Sequence, residues 1–221
     1  MKNKKVTLII PAHNEAENIS TVLKVATKAK EVDEILVIAD ACEDNTAEVA
    51  RGFGVKVIER KESQGKGSAM IAGVKVASGD IIMFADADLE TLNTHHISQV
   101  LKPVIKGEAV MSVGLRDRVF GLGALIPKIN PMYAIGGERA MTKDFFNKLP
   151  KDENLLDFGI ETVMNYYARE NKLKVAHPVL KDLHQVIKEK KYGFMQGFSD
   201  RIKLLKQVRR ARHAMKRKKD L

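Results

Sequence analysis

Four short apolar runs, separated by amphipathic stretches, constrain the fold of this chain more than any other feature. The runs occupy residues 6–10, 35–39, 55–58 and 81–85, and each is rich in β-branched residues. Between them, residues 15–30, 46–53 and 67–77 repeat apolar side chains at helical spacing. This alternation predicts an α/β fold in which a mostly parallel central sheet, with right-handed crossovers, is flanked by helices.

Polar motifs follow the apolar runs. They are PAHNE at residues 11–15, DACED at 40–44, GKG at 65–67 and DAD at 86–88. Ligands of parallel α/β sheets bind beyond the carboxyl ends of the strands, where all four motifs are expected to lie. The sequence therefore predicts that they form one site, suited to a nucleotide diphosphate and a metal ion.

Each motif has a chemical interpretation. Asp86 and Asp88 leave the backbone on the same side, so together they can bind a hard divalent cation and a ribose hydroxyl. Lys66 lies between two glycines just before a predicted helix, where an ammonium and backbone N–H groups can bind a phosphate. Asp40 ends the second strand and can accept hydrogen bonds from a nucleobase. Asn14 and Glu15 can either contact the nucleotide or cap the first helix.

Length, cysteine content and hydropathy limit the class of protein to which the chain can belong. The chain has 221 residues and one cysteine, Cys42, so no internal disulfide can form and a reducing compartment is expected. No apolar run approaches the roughly 20 residues of a membrane span. We expect one cytoplasmic α/β domain at residues 1–198, with a first half at 1–115 that holds the four polar motifs and a second half at 116–198.

A basic tail follows the predicted domain. Residues 199–221 hold ten Lys or Arg against two Asp, so they carry +8 of the net charge of +10. Apolar residues around position 200 share one helical face, which predicts a basic amphipathic C-terminal helix. The tail lacks aromatic residues past Phe198, which disfavours nucleic acid, and we expect it to bind an anionic membrane surface. A solvated terminal helix is the alternative.

The motifs of the first half, in their order and spacing, resemble the nucleotide-sugar half of family 2 type glycosyltransferases with the GT-A fold. The resemblance implies that Asp40 binds the base, that Lys66 lies near the pyrophosphate, and that the Asp-x-Asp motif binds ribose and Mg2+ or Mn2+. The residues it assigns to nucleotide-sugar binding are Pro11, Ala12, Asn14, Glu15, Asp40, Lys66, Asp86 and Ala87.

The motifs of the second half are similar to those of glucosyl-3-phosphoglycerate synthases and related bacterial transferases. That similarity implies a glycine-rich turn facing the acceptor and a late histidine, His184, that completes the metal site with Asp88 and Asp86. His184 would end an apolar strand at residues 175–183. The acceptor-binding residues so assigned are Arg116, Gly136, Gly137, Glu138, Arg139 and Glu161.

The role of Glu161 has two interpretations. It opens a helix after Phe158-Gly159, where a carboxylate is stabilised by the positive helix end. An inverting transferase needs a carboxylate base, and Glu161 and Asp157 are the candidates. If the reaction retains anomeric configuration instead, Glu161 positions the acceptor. We take Glu161, Lys66 and Asp88 as the catalytic residues and leave the stereochemical outcome open.

The sequence thus predicts a metal-dependent glycosyltransferase that moves a hexose from a nucleotide diphosphate sugar, with UDP-glucose the expected donor. The acceptor is expected to be phosphorylated or lipid-linked, because Arg116 and its neighbours precede an apolar, glycine-containing segment and Arg binds phosphate in a bidentate manner. A sugar-phosphate nucleotidylyltransferase and a catalytically degenerate binding module are the alternatives. A homodimer is compatible with the sequence.

Overall fold

The β-branched runs form strands of one sheet that is covered on both faces. The structure is a computed structural model, and it describes residues 4–63, 65–116, 137–149 and 159–185. The first four strands are β1 (Val6–Ala12), β2 (Glu34–Asp40), β3 (Lys56–Arg60) and β4 (Ile81–Phe84). They are parallel and lie in the order β3-β2-β1-β4, which confirms the predicted mostly parallel sheet.

Of the remaining strands among the described residues, three extend the sheet beyond β4 and two form a separate pair. They are β5 (Met111–Val113), β6 (Leu115–Arg116), β7 (Arg139–Thr142), β8 (Val175–Ala176) and β9 (Val179–Leu180). The seven-stranded sheet has the order β3-β2-β1-β4-β7-β5-β8, and β7 runs antiparallel between β4 and β5. Strands β6 and β9 form a separate parallel pair. Because β7 joins β4, the second half of the chain lies beside the Asp-x-Asp motif.

Helices cover both faces of the sheet. They are α1 (Ile19–Ala26), α2 (Thr46–Arg51), α3 (Lys66–Val76), α4 (Thr94–Ile105), α5 (Lys143–Asn147) and α6 (Ile160–Glu170). Alternate residues of each strand face opposite sides, so Leu8 packs in the cluster of α1 and α4, whereas Ile9 packs in that of α3, α5 and α6. Residues on both faces of β1 are fully buried, which explains its continuous apolar sequence.

Two predicted elements differ from the structure. The predicted helix at 15–30 is limited to α1, because Asn14 has a φ of 54° and the Glu15 carbonyl accepts from the N–H groups of Asn18 and Ile19 in a turn before the helix. The predicted strand at 175–183 is two short strands, β8 and β9, which pair with different partners. Pro178 lies between them, and its carbonyl accepts from the N–H of Leu115.

Two further sequence predictions concern membrane-spanning helices and the C-terminal tail. Among the residues that the structure describes, no helix is long and apolar enough to cross a bilayer. The predicted tail helix at 199–221 lies outside the described residues, so the division into a domain at 1–198 and a tail stays a prediction.

Candidate active site

A cleft opens at the carboxyl ends of β1, β2 and β4, beside the first turn of α3. Its volume is about 320 Å³. All four polar motifs contribute to its walls, together with a residue that follows β9. Its lining residues are Pro11, Ala12, His13, Glu15, Asp40, Ser63, Gly65, Lys66, Ala69, Asp86, Ala87, Asp88 and Gln185. The strand order brings the motifs together because β1 lies between β2 and β4.

Lys66 links the Asp-x-Asp motif to α6. Its Nζ lies 2.6 Å from Asp86 Oδ1 and 3.3 Å from Glu161 Oε1. Gly65, with a φ of 84°, is the residue before α3 and turns the chain so that Lys66 begins the helix. The structure therefore brings together two residues that the sequence assigned to the donor and one assigned to the acceptor.

The same contacts fix the ionisation of Lys66 and Glu161. Partial burial alone would lower the pKa of Lys66, but the carboxylates of Asp86 and Glu161 outweigh it and hold that pKa above its ordinary value. Burial would raise the pKa of Glu161, yet the charges of Lys66 and Arg139 hold it below its ordinary value. Both side chains are therefore charged near neutral pH, and Glu161 is a weak base in this arrangement.

A chain of polar side chains connects the Asp-x-Asp motif to a buried glutamate. Gln185 Nε2 donates to Asp88 Oδ1 at 2.6 Å and to Asp86 Oδ2 at 3.4 Å, while its Oε1 accepts from Arg116 Nη1 at 2.6 Å. Arg116 donates through Nε and Nη2 to the two oxygens of Glu138, at 3.2 Å and 2.6 Å. Glu138 is fully buried, so this bidentate pair is shielded from water.

The end of the cleft at Asp40 is also held by a network of polar contacts. Asp40 is buried, its Oδ2 accepts from the Ser63 hydroxyl at 2.7 Å, and its Oδ1 lies 2.9 Å from Arg60 Nη1. Arg60 also donates from Nη2 to Ser68 Oγ at 2.9 Å, at the start of α3. Asp40 thus lines the cleft as predicted, and its carboxylate is already held by a serine and an arginine.

Asn14 and Glu15, in the loop after β1, were predicted either to contact the nucleotide or to cap the first helix. Only Glu15 lines the cleft, and its N–H donates to Thr46 Oγ1 at 2.8 Å. Asn14 instead accepts from the N–H of Glu43 through its side-chain oxygen at 2.8 Å, which joins the loop after β1 to the loop after β2. Neither residue is the N-cap of α1, which is Asn18.

Asp88 and His184 have the chemistry of metal ligands. Burial raises the pKa of Asp88, the hydrogen bond from Gln185 opposes this effect, and the charges of Asp86 and Glu15 raise the pKa further. His184 Nδ1 is buried without a hydrogen-bond partner. Within the described ranges, no three His, Cys, Asp or Glu side chains are clustered to hold a metal. Mg2+ commonly uses one or two carboxylates plus substrate phosphates, so these donors fit such an ion.

The predicted acceptor residues differ in their surroundings. Arg116 and Glu138 form the bidentate pair beside the Asp-x-Asp motif, and Glu161 contacts Lys66. Arg139 is fully buried, and its Nη1 donates to the Glu161 carbonyl at 3.3 Å. Gly137 packs against Asp86. Gly136 lies outside the described residues, and the acceptor-binding role of the whole set stays a prediction.

Three residues of the site were absent from the sequence prediction: Gln185, Arg60 and Ser63. Arg60 and Ser63 follow the third apolar run, as the other motifs follow theirs, so their position gave a usable signal. Gln185 gave none, because it is 97 residues from Asp88 in the sequence and reaches the cleft only through the antiparallel bridge between Leu89 and Gln185.

Comparison with known proteins identifies a family and several relatives. Residues 7–166 match the model of the family described as glycosyl transferase family 2. Over 181 residues the chain is 28% identical to glycosyltransferase AglE of Haloferax volcanii, covering 78% of this chain and 55% of the relative. Over 118 residues it is 36% identical to the dolichol-phosphate mannosyltransferase of Pyrococcus furiosus, covering 51% and 33%. The chain spans about a third to a half of the length of these curated relatives.

Solved structures show the same fold. The glucosyl-3-phosphoglycerate synthase of Mycobacterium tuberculosis in complex with Mn2+, UDP-glucose and phosphoglyceric acid superimposes with a TM-score of 0.69 at 22% identity, covering 83% of this chain and 72% of that one. The same enzyme in complex with Mg2+ and UDP gives a TM-score of 0.66 at 21% identity, covering 83% and 72%. These similarities confirm the predicted GT-A architecture.

Proposed function

Because the chain belongs to glycosyl transferase family 2, we propose that it transfers a hexosyl group from a nucleotide diphosphate sugar to an acceptor. One observation carries this proposal: the cleft brings Asp40, Lys66, Asp86 and Asp88 together at the carboxyl edge of the parallel strands. In α/β sheets that edge is where ligands bind. UDP-glucose is the first donor to test, since the structurally similar synthase was solved with it.

The donor would lie along the cleft from β2 toward α3. Asp40, held by Ser63 and Arg60, has a fixed carboxylate at the end where a base would bind. Lys66 is fully charged and lies at the start of α3, so it would donate to the diphosphate as negative charge develops there. Pro11, Ala12, Glu15 and Ala87 line the walls between these groups and would enclose the ribose and base.

Asp88 and His184, with Asp86 as the third candidate ligand, are the residues that would hold Mg2+ or Mn2+. When bound, such an ion supplies positive charge that stabilises a leaving diphosphate. Asp86 already contacts Lys66 and lies 3.6 Å from Arg116 Nη2, so its negative charge is balanced by protein cations. We therefore assign the ion chiefly to Asp88 and His184, and the ribose to Asp86.

Glu161 is proposed to position groups instead of removing a proton. Its lowered pKa makes it a poor general base near neutral pH, since an efficient base has a pKa close to the working pH. Its ion pair with Lys66 and its place at the start of α6 put a fixed negative charge beside the donor phosphate site. A carboxylate so placed can orient Lys66 and accept a hydrogen bond from an acceptor hydroxyl.

The acceptor is proposed to carry a phosphate, free or linked to a lipid. Support comes from two relatives whose names specify dolichol phosphate and phosphoglycerate. Residues 199–221, with their balance of +8, are proposed to attach a cytoplasmic enzyme to an anionic membrane surface. The acceptor-side residues would be Arg116, Gly136, Gly137, Glu138, Arg139 and Glu161.

A donor panel tests the proposed function. The full chain is titrated by calorimetry with UDP-glucose, UDP-galactose, UDP-N-acetylglucosamine and GDP-mannose in Mn2+, and release of free nucleotide is measured. Mn2+-dependent binding of one donor, with slow hydrolysis, is the expected result. The Asp40→Asn variant is the internal control for the base site and should bind UDP more weakly. Absence of binding by every donor would contradict the transferase assignment and favour a degenerate binding module.

A further inference from the structure

Gln185 makes contacts that no motif accounts for. It lies five residues after the end of β9, and a hydrogen-bonded bridge with Leu89 holds its backbone beside the segment that follows the Asp-x-Asp motif. The neighbouring Glu90 N–H donates to the His184 carbonyl at 3.0 Å, and the His184 N–H donates to Thr91 Oγ1 at 2.7 Å. The backbone at Gln185 is therefore fixed relative to Asp88.

The amide of Gln185 has a defined orientation. Its Oε1 lies 2.6 Å from Arg116 Nη1, so this atom must be the acceptor, because a guanidinium only donates. Its Nε2 then faces Asp88 Oδ1 at 2.6 Å and Asp86 Oδ2 at 3.4 Å. A flipped amide would place oxygen against two carboxylates and N–H groups against a guanidinium, so both contacts would become repulsive.

The other end of this chain of contacts is rigid. Arg116 is held by both oxygens of Glu138, and the side chain of Glu138 is 1% exposed. A buried bidentate pair has little freedom to rotate. The contacts thus run from a fixed glutamate through Arg116 and Gln185 to both aspartates of the motif.

Two like-charged carboxylates that share a cleft repel each other, and each has alternative rotamers. An amide that donates to both of them reduces the repulsion and selects one rotamer for each side chain. We propose, on the basis of the proposed function, that Gln185 is a positioning residue: it holds Asp86 in the orientation that receives the ribose and Asp88 in the orientation that receives the metal. Gln185 acts through the two aspartates and is not itself a catalytic residue.

Two substitutions of Gln185 separate its donor contacts with the two aspartates from its acceptor contact with Arg116. Gln185→Met keeps the length of the side chain but neither donates nor accepts comparable hydrogen bonds. Gln185→Glu keeps the acceptor that faces Arg116 but cannot donate to the aspartates when ionised. Gln99→Met on α4, outside the cleft lining, is the matched control for the same substitution. Thermal unfolding of all variants, followed by circular dichroism, identifies any loss of fold.

The first measurement uses the ligand-free protein. The side-chain amide resonance of Gln185, identified by its absence in Gln185→Met, is expected to exchange with solvent at least about tenfold more slowly than that of Gln99 and to shift in Asp88→Asn. An amide that exchanges as fast as that of Gln99, with no shift in Asp88→Asn, would overturn the proposal. This outcome does not depend on any nucleotide.

The second measurement is the dissociation constant of UDP at saturating Mn2+. Both Gln185 variants are expected to bind about 10- to 100-fold more weakly, as is typical when a residue that orients metal ligands is lost, while Gln99→Met matches the unmodified chain. Unchanged affinity in Gln185→Met, or full rescue by Gln185→Glu, would overturn the donor role of the amide. Failure of the unmodified chain to bind UDP would contradict the proposed function, and the amide measurement would then decide the role of Gln185.

Discussion

Gly137 and Asp86 are in direct contact, and the contact requires that residue 137 have no side chain. A β-carbon built at position 137 would lie 2.4 Å from Asp86 Oδ2 and 2.5 Å from Oδ1. Gly137 precedes Glu138, which holds Arg116, and Asp86 also contacts Lys66. The glycine therefore lets the second half of the chain approach the Asp-x-Asp motif closely enough to form these ion pairs.

Gly137→Ala should displace the Asp86 carboxylate, because the two groups cannot occupy the same space. We expect UDP affinity in Mn2+ to fall about tenfold or more, with a smaller effect on overall folding because the clash is confined to one side chain at the cleft. Calorimetry and thermal unfolding measure the two effects. Gly52→Ala, at the helical C-cap of α2, is the control, and unchanged UDP affinity in Gly137→Ala would show that Asp86 can move without consequence.

Lys66→Met should remove the cation that joins Asp86 to Glu161. The loss leaves the carboxylates of Asp86 and Glu161 without the cation between them, and it removes a hydrogen-bond donor to the diphosphate. We therefore expect kcat to fall about 100- to 1,000-fold. Donor hydrolysis and transfer rates measure this loss. Lys75→Met, at an exposed position of the same helix, should keep full activity. An equally small effect of both substitutions would exclude Lys66 from the chemistry.

Asp88→Ala and His184→Ala should each abolish metal-dependent turnover while the protein stays folded. The two side chains offer the carboxylate and the buried, unpartnered ring nitrogen that suit a divalent ion. The Mn2+ concentration for half-maximal activity, together with circular dichroism, measures the effect. His95→Ala, exposed on α4, serves as the histidine control. Full activity in the Asp88 variant or in the His184 variant would remove that residue from the proposed metal site.

Removal of residues 199–221 should reduce attachment to anionic vesicles. The segment carries +8, and each basic residue near an anionic surface contributes about 1 kcal/mol at low ionic strength. Flotation with phosphatidylserine-containing liposomes, at low and high salt, compares the full chain with the shortened one. Neutral phosphatidylcholine liposomes are the control. Equal flotation of both forms, or binding that salt does not weaken, would contradict electrostatic attachment through this segment.

The sequence predicted the parallel half of the sheet well because its strands are buried on both faces. A strand such as β1, whose alternate residues pack in different clusters, must be apolar along its length, and that pattern is visible without a structure. Once these strands are identified, the motifs that follow them can be placed at the carboxyl edge of the sheet. Ligands of α/β sheets bind at that edge, so the position of the cleft also followed from local sequence.

The sequence could not predict what depends on distant contacts. Strand β7 contains Arg139 and Thr142, which do not suggest a buried central strand, and it is stabilised by pairing with β4 and β5 on either side. The bond between Gln185 and Asp88 joins residues 97 positions apart. Both features arise from tertiary pairing and leave no periodic pattern in the sequence. The division of the predicted strand at 175–183 is different, because Pro178 is visible in the sequence and a proline interrupts a strand.

Glu34, the first residue of β2, accepts hydrogen bonds from two other segments of the chain. Its Oε2 accepts from Thr7 Oγ1 at 2.6 Å, from the Ser78 N–H at 2.8 Å and from Ser78 Oγ at 2.9 Å. Partial burial would raise the pKa of Glu34, but these hydrogen bonds outweigh it and hold the pKa below its ordinary value. The ionised carboxylate therefore joins β1, β2 and the segment before β4.

A folded-state pKa below the unfolded value adds stability above the unfolded pKa, and this stability is lost as the pH falls through the folded pKa. Glu34→Gln should therefore lower the free energy of unfolding by about 1–2 kcal/mol at neutral pH, and the difference should shrink below about pH 4.5 as the unmodified Glu34 is protonated. Urea unfolding across this pH range measures it, with exposed Glu17→Gln as the control. A difference that stays constant with pH would show that Glu34 acts through packing and not through its charge.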